Sequence, residues 1–304
     1  MHRKNTSIKN ISWRDVSKKL VSKNNLSIPI VFLIFILITY LIFHNISSNN
    51  NIEYNINNIN LTDSNTSPAN QEINSLNTDL INDNRGIPVL YYHSVRESAD
   101  NEVTITPSML RKQLKYIQDE GYTTLTTSKL KDYLLDNSPI PKKSIVITFD
   151  DGYMDNYYNA FPILKDLNMV ATIFCITAKL DGSYYLSKDA IVEMSNYGID
   201  IESHTVNHSK LNEMTYDKQL IELINSKKTL ESITGKKVYS IAYPFGDFNN
   251  DSVRAAKNAG YTLGFTTKRG LSDRDDDPLK LDRIYISSKY DMNTFKEILN
   301  KTEK

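Results

Sequence analysis

The sequence predicts an α/β fold on a parallel sheet, most economically a closed (β/α) barrel, and three observations predict it. Apolar, β-branched runs alternate with amphipathic stretches seven or eight times over about 220 residues, from Gly86 to the C-terminus. Runs such as Ser144-Ile-Val-Ile-Thr-Phe149 are apolar without a strict polar alternation, as strands covered on both faces are. The residues with chemistry to offer fall at the ends of those runs, where such folds place ligands. An open doubly wound sheet is the rival architecture. No Gly-x-Gly-x-x-Gly and no phosphate loop occurs, so nothing points to a nucleotide. No repeat at a solenoid period is present.

The elements follow in order. Gly86-Ile-Pro-Val-Leu-Tyr-Tyr-His93 reads as a first strand that ends on a histidine. Thr106 supplies an N-cap and Pro107 the first position of a helix running to Gly121. Tyr122–Thr126 is a short strand and Thr127–Asp136 a short helix. The strand through Phe149 ends at Asp150-Asp151-Gly152, and a helix follows from about Asp155 to Leu167. Val170–Ile176 is a strand, Ser187–Tyr197 a helix stopped by Gly198, and Ile199–Ser203 a strand into His204. Tyr216–Thr234 is the longest amphipathic helix, stopped by Gly235. Val238–Tyr243 is a strand into Pro244-Phe245-Gly246, Asp251–Ala259 a helix stopped by Gly260, and Tyr261–Thr266 a strand. Leu281–Ile286 is the last strand and Met292–Leu299 the last helix.

The amino-terminal third stands apart. Residues 1–25 form a basic tail carrying Arg3, Lys4, Lys9, Arg14, Lys18, Lys19 and Lys23. Residues 26–46 are predicted to be a membrane anchor, because Leu26–Phe43 is apolar except for Ser27, Pro29, Thr39 and Tyr40. With its flanks, that run approaches the roughly 30 Å of a bilayer's hydrocarbon. No Lys or Arg follows until Arg85, so the positive-inside rule puts the amino end in the cytoplasm and the rest outside, in a single-pass cell-membrane protein. The absence of a small-x-small site favours an uncleaved anchor over a signal peptide. Residues 47–85, rich in Asn, Ser and Thr, are predicted to be a disordered linker, and residues 86–304 the folded domain. Lys plus Arg and Asp plus Glu number 36 each, a balance that argues against a nucleic-acid partner. Cys175 is the only cysteine, so there is neither an internal disulfide nor a thiolate metal cluster.

Asp150 and Asp151 end the apolar run at Phe149. Successive strand side chains point to opposite faces, so the two carboxylates serve one site only if the chain turns there, and Gly152 allows a turn. The alternative is an Asp-Asp-Gly loop that caps the next helix. Of the five histidines, His2 and His44 fall in the tail and anchor, while His93, His204 and His208 lie at or just past strand ends. His204-Thr-Val-Asn-His208 has the i, i+4 spacing that can put two imidazoles on one metal. With Asp151 as the natural carboxylate, coordination positions stay open for water and substrate. Asp150 is then free to act as a general base.

Thr148-Phe-Asp-Asp-Gly152, His204-Thr-Val-Asn-His208 and Ala242-Tyr-Pro-Phe-Gly246 resemble the first three motifs of the NodB-homology polysaccharide deacetylases, carbohydrate esterase family four. The resemblance implies a distorted (β/α)7 barrel and a divalent metal, usually zinc, with cobalt, nickel or ferrous iron as alternatives. By position the ligands are Asp151, His204 and His208, the base is Asp150, and the Phe245 backbone N–H completes an oxyanion site. Two departures stand out. The arginine that usually opens the third motif is replaced by Ala242, and Arg283 is the candidate to take its place beside the base. No histidine follows His208 and the only tryptophan is Trp13, so the usual carboxy-terminal acid is missing. His93, in Tyr91-Tyr-His-Ser94, is the candidate acid. That pattern resembles the circularly permuted poly-β-1,6-N-acetylglucosamine deacetylases.

The expected activity is therefore removal of N-acetyl groups from a cell-surface N-acetylglucosamine polysaccharide, with β-1,6 linkage favoured. A peptidoglycan or chitin-oligomer deacetylase is the alternative, and a catalytically dead wall-binding module is a third reading. Tyr153, Tyr243, Phe245 and the pair Tyr184-Tyr185 are candidates to stack on sugar rings, Tyr153 foremost, against core packing as the ordinary role of such aromatics.

Overall fold

In the computed structural model, which describes residues 79–98 and 100–302, the apolar runs pair as parallel strands. Numbering the barrel strands alone, β1 is Val89–Tyr92, β2 Ser144–Phe149, β3 Thr172–Cys175, β4 Asp200–Ser203, β5 Ser240–Ala242, β6 Leu263–Arg269 and β7 Leu281–Tyr285. The order around the sheet is β1-β7-β6-β5-β4-β3-β2. β2 then pairs with β1, from Val89↔Val146 to Tyr92↔Phe149, and the ring closes. This is a seven-stranded (β/α) barrel, and closure excludes the open doubly wound sheet. A further parallel strand, Thr123–Leu125, pairs with the start of β2 outside the ring.

The helices begin and end where local chemistry requires. They are α1 (Pro107–Asp119), α2 (Thr127–Asp136), α3 (Phe161–Asp166), α4 (Lys188–Tyr197), α5 (Tyr216–Thr234), α6 (Asn250–Asn258) and α7 (Met292–Asn300). Side chains of Thr106, Thr126, Ser187, Asn249 and Asp291 each accept a hydrogen bond from a first-turn N–H that would otherwise lack a partner. Gly235 ends α5 in the left-handed conformation.

Two apolar clusters separate by strand face. Leu90, Ile145, Ile147, Phe149, Ile173 and Ile241 pack outward with the helices. Val89, Val146, Phe174, Ala242, Phe265 and Leu281 form the second cluster, on the inward face. The period of two then carries Thr148, Asp150, His204 and Arg283 onto the inward face as well.

Two expectations need correction. The helix expected from about Asp155 begins in α form at Met154–Asp155 but is interrupted by a π turn, Asn156–Ala160, in which the Phe161 N–H reaches back to the Asn156 carbonyl. Pro162 has no N–H to give an α-helical bond at the next position, and the α form resumes over Phe161–Asp166. The linker expected over residues 47–85 ends earlier than predicted. Leu80–Ile81 pairs antiparallel with Ile140–Pro141. The Tyr133 hydroxyl bonds to the carbonyls of Asp83 (2.6 Å) and Arg85 (3.0 Å), and Arg274 binds the Asn82 carbonyl and side chain (3.2 and 2.6 Å). The tail, the anchor at 26–46 and the linker through residue 78 lie outside the described residues. Among those described, no helix is long and apolar enough to cross a membrane.

A fragment beginning at Gly86 should therefore melt lower than one beginning at Asp79, by roughly 3–8 °C, because Tyr133 loses its carbonyl partners. Thermal unfolding of the two fragments measures this.

Candidate active site

Arg283, in the last barrel strand, grips Asp150 at the end of β2. Nη1–Oδ1 and Nη2–Oδ2 are both 2.8 Å, the two-pronged geometry in which guanidinium and carboxylate match best. Arg283 is 0% exposed, and each of its three nitrogens has an acceptor. Nε donates to the Thr266 carbonyl at 3.0 Å, and Nη1 also approaches Thr148 Oγ1 at 3.3 Å. The register of β6 against β7 shifts between Phe265 and Arg269, and Thr266 lies within that bulge. The Tyr91 ring covers the guanidinium at 4.2 Å. Burial by itself would push the Asp150 carboxyl up. The Arg283 guanidinium more than reverses this and holds it well below the usual carboxylate range. Asp150 is thus an anion at neutral pH.

Asp151 points elsewhere because the chain turns sharply. Asp151 takes φ 75° and Gly152 φ 70°, so the left-handed turn begins on the aspartate itself. Gly152 is needed there twice over. A Cβ would stand 3.0 Å from Cys175 Sγ and 3.2 Å from Cys175 Cα on β3. Asp151 Oδ1 is buried without a hydrogen-bond partner, and lies 3.5 Å from His204 Nε2 and 3.3 Å from His208 Nε2.

The two imidazoles meet without a helix. Thr205 (φ 66°) and His208 (φ 59°) are both left-handed, which folds the four-residue interval back on itself and brings the Nε2 atoms to 3.2 Å. His204 Nδ1 lies 2.8 Å from the Ala242 carbonyl. A carbonyl only accepts, so Nδ1 carries the proton and Nε2 presents its lone pair. Thr205 Oγ1 accepts from the His208 N–H at 2.9 Å. Glu222 on α5 accepts from the Val206 and Asn207 N–H groups at 3.0 and 2.9 Å. Burial and the neighbouring His204 push His208 down to about 4, so its ring is neutral at neutral pH, as a metal ligand must be.

Asp151, His204 and His208 form the one His/Cys/Asp/Glu group among the described residues whose donor atoms converge closely enough for a metal. The fit is quantitative. A tetrahedral ion with bonds of about 2.0–2.1 Å needs ligand atoms about 3.3–3.4 Å apart. The three edges here are 3.2, 3.3 and 3.5 Å. The unpartnered, buried Asp151 Oδ1 is the atom a cation would satisfy.

His93 follows β1 and is partly buried. Its ring lies beside Tyr91 (5.9 Å) and Tyr285 (6.3 Å), and its Nδ1 is buried without a partner. Burial lowers its pKa, while the charges of Asp150 and Asp151 pull it back up.

Phe245 takes φ 60° in the turn after β5, and its 58%-exposed ring packs 4.4 Å from His208. It is the second residue of a short 3-10 turn, so its N–H falls among those that a helix's first turn leaves without an intrahelical acceptor. Tyr153 stacks on Tyr185 at 5.3 Å and meets Tyr184 edge-on, also at 5.3 Å. Burial and the adjacent Asp151 carboxylate raise its phenol. Tyr184 is the outermost ring of the three, 53% exposed. Tyr243 is a correction. It is fully buried, stacked on Phe248 at 4.7 Å, with its hydroxyl on the Leu279 carbonyl at 3.0 Å, so it has no face to offer a sugar.

Sequence reasoning missed Glu222. The signal was present, because an acid falls on the buried stripe of α5 that also holds Gln219, Leu223, Ser226 and Leu230. A buried carboxylate in such a stripe has backbone donors to satisfy.

Residues 137–264 match the polysaccharide deacetylase family. YxkH of Bacillus subtilis, which bears that family's name, is 36% identical over 201 residues, 66% of this chain and 71% of that protein. The chain belongs to the NodB-homology polysaccharide deacetylases. A poly-β-1,6-N-acetyl-D-glucosamine N-deacetylase of Staphylococcus epidermidis is 28% identical to this family member over 73% of the chain and 86% of its own length. Among solved structures, the Streptococcus pyogenes deacetylase PplD in complex with acetate superposes with a TM-score of 0.68 at 30% identity, covering 73% of this chain and all of PplD. The deacetylase is therefore a hydrolase acting on polysaccharides.

Arg283→Met should destabilise this deacetylase by about 3–5 kcal/mol, because Asp150 is left buried and unpaired. The double variant Arg283→Met/Asp150→Asn should recover part of that loss. Denaturant unfolding of the two variants and the parent measures both.

Proposed function

We propose that this deacetylase removes acetyl groups from poly-β-1,6-N-acetylglucosamine, with a divalent cation, zinc first among the alternatives, held by Asp151, His204 and His208. The observation that carries the reading is an ionised, arginine-gripped Asp150 beside an Asp-His-His triangle of tetrahedral size. Two things support the β-1,6 linkage. His93 directly follows the strand that opens the barrel, in keeping with the resemblance to the permuted branch, and the Staphylococcus epidermidis relative carries that substrate in its name.

When bound, the cation supplies a Lewis acid for the acetamide carbonyl and acidifies water beside it. Asp150 takes the proton of the attacking water. Arg283 keeps that carboxylate ionised and fixed in orientation until then. The Phe245 N–H donates to the oxygen that gains charge as the carbonyl becomes tetrahedral. His93, as imidazolium, gives a proton to the sugar nitrogen as the C–N bond breaks, since an unprotonated amine leaves poorly. Acetate and a glucosamine unit result. Phe245 and Tyr184 offer exposed rings to the sugar chain, and Tyr153 backs Tyr184 edge-on. The anchor expected at residues 26–46 would hold this chemistry at the outer face of the cell membrane, with residues 47–78 as the tether.

Purified protein should release acetate from β-1,6 oligomers in preference to β-1,4 ones, and chelation should stop the release until zinc or cobalt is restored. Preference for β-1,4 oligomers would move the substrate to peptidoglycan or chitin, and no metal-dependent release from either would leave a binding module. Asp151→Ala and His204→Ala should lose the cation, measured by elemental analysis after dialysis. Asp150→Asn and His93→Ala should keep it while turnover falls roughly 10²–10⁴-fold.

A further inference from the structure

Among the described residues none hydrogen-bonds the ring of His93, and its Nδ1 is buried without a partner there. The β1 ladder ends at Tyr92. What holds His93 is its backbone: side chains of one segment bind its carbonyl and the two residues beyond it, which a short ladder to Thr104–Ile105 also holds. Asn156 Nδ2 donates to the His93 carbonyl at 2.8 Å. Asp155 accepts from the Val95 N–H at 2.9 Å and from the Ser94 hydroxyl at 2.5 Å. Asn159 Nδ2 donates to the Val95 carbonyl at 2.7 Å. Asp155 immediately precedes the π turn that follows Asp150-Asp151-Gly152, and Asn156 and Asn159 lie within it. Asn156 is fully buried and its Nδ2 also lies 3.1 Å from Asp155 Oδ1. Both partners of Nδ2 are acceptors, so the amide orientation is fixed by its surroundings.

Residues 94–95 leave the barrel here. Ser94–Val95 pairs with Thr104–Ile105 in a separate two-stranded ladder, so the barrel sheet does not fix the segment after His93. A carboxylate and two amides at one turn supply the constraint the sheet withholds. The same turn is covalently continuous with both aspartates of the site.

We propose that Asp155, Asn156 and Asn159 are positioning residues that set the distance between His93 and the Asp150-Asp151 pair, so that proton donor and base are held by one rigid turn. The inference rests on the donor role proposed for His93. An amide leaving group needs that proton, whereas 4-nitrophenolate leaves without it. Misplacement of His93 therefore harms amide hydrolysis selectively.

The test compares acetate release from N-acetylglucosamine oligomers with hydrolysis of 4-nitrophenyl acetate, using the full chain loaded with zinc. Asn156→Ala should lower kcat on the oligomers roughly 10–100-fold with little change in KM, a loss of the size expected from about 1 Å of misplacement. Ester hydrolysis should stay within roughly threefold and zinc content should be unchanged, because neither depends on where the donor stands. His93→Ala is the benchmark and should show the same selective loss, more severely. If His93→Ala is selective but Asn156→Ala lowers both activities in parallel, or neither, the positioning role is wrong and the donor role survives. If His93→Ala lowers both activities equally, the donor role itself fails and the positioning role falls with it. Should Asn156→Ala not fold, Asn159→Ala, at the less buried end of the turn, is judged by the same ratio.

Discussion

The fork between Arg283 and Asp150 is the constraint on which the rest of this deacetylase depends. A lone carboxylate at that depth would protonate rather than stay charged, and a lone guanidinium inside a barrel has nowhere to go. Together, with the Thr266 carbonyl and the Tyr91 ring taking up the arginine's remaining surface, they form a buried anion with every partner in place. The base is kept ionised by the interior of the fold rather than by solvent. The bulge of β6 belongs to the same solution, since Thr266, whose carbonyl the arginine takes, lies within it.

The metal triangle is built on a different principle. Its geometry comes from left-handed backbone at Asp151, Thr205 and His208, conformations that β-branched and bulky residues resist. Hydrogen bonds offset that cost. Glu222 holds two successive N–H groups of the loop, Thr205 holds a third, and the Ala242 carbonyl orients the first imidazole. The third motif thus serves His204 through its backbone, a function indifferent to the side chain at position 242.

What the sequence disclosed follows from the range of the interactions concerned. Strand–helix alternation, caps and the Asp-Asp, His-x3-His and Pro-Phe-Gly stretches are local patterns, and the barrel and the convergence of Asp151, His204 and His208 agree with them. Arg283 could be named only by elimination, because its partner lies 133 positions away. Tyr243 was misread because an aromatic beside a motif looks the same in sequence whether it faces the mouth or the Leu279 carbonyl. Residues 79–85 read as linker because their attachment is through backbone carbonyls and Arg274, not through apolar side chains of their own. Asp155 and Asn156 act on other residues' main chains, and no local pattern announces such work, whereas Glu222 leaves a trace as an acid on the buried stripe of α5.

Closure of the ring between β1 and β7 has a consequence for how the polypeptide comes into being. Arg283 is made 133 residues after Asp150. At typical synthesis rates of about 5–20 residues per second, that interval is about 7–27 s. Throughout it the aspartate has no counter-charge, and the nascent chain cannot shut its barrel. The barrel therefore cannot close before the seventh strand has been made, and a ribosome that stops short of that strand leaves a product without a usable base, however complete its three motifs.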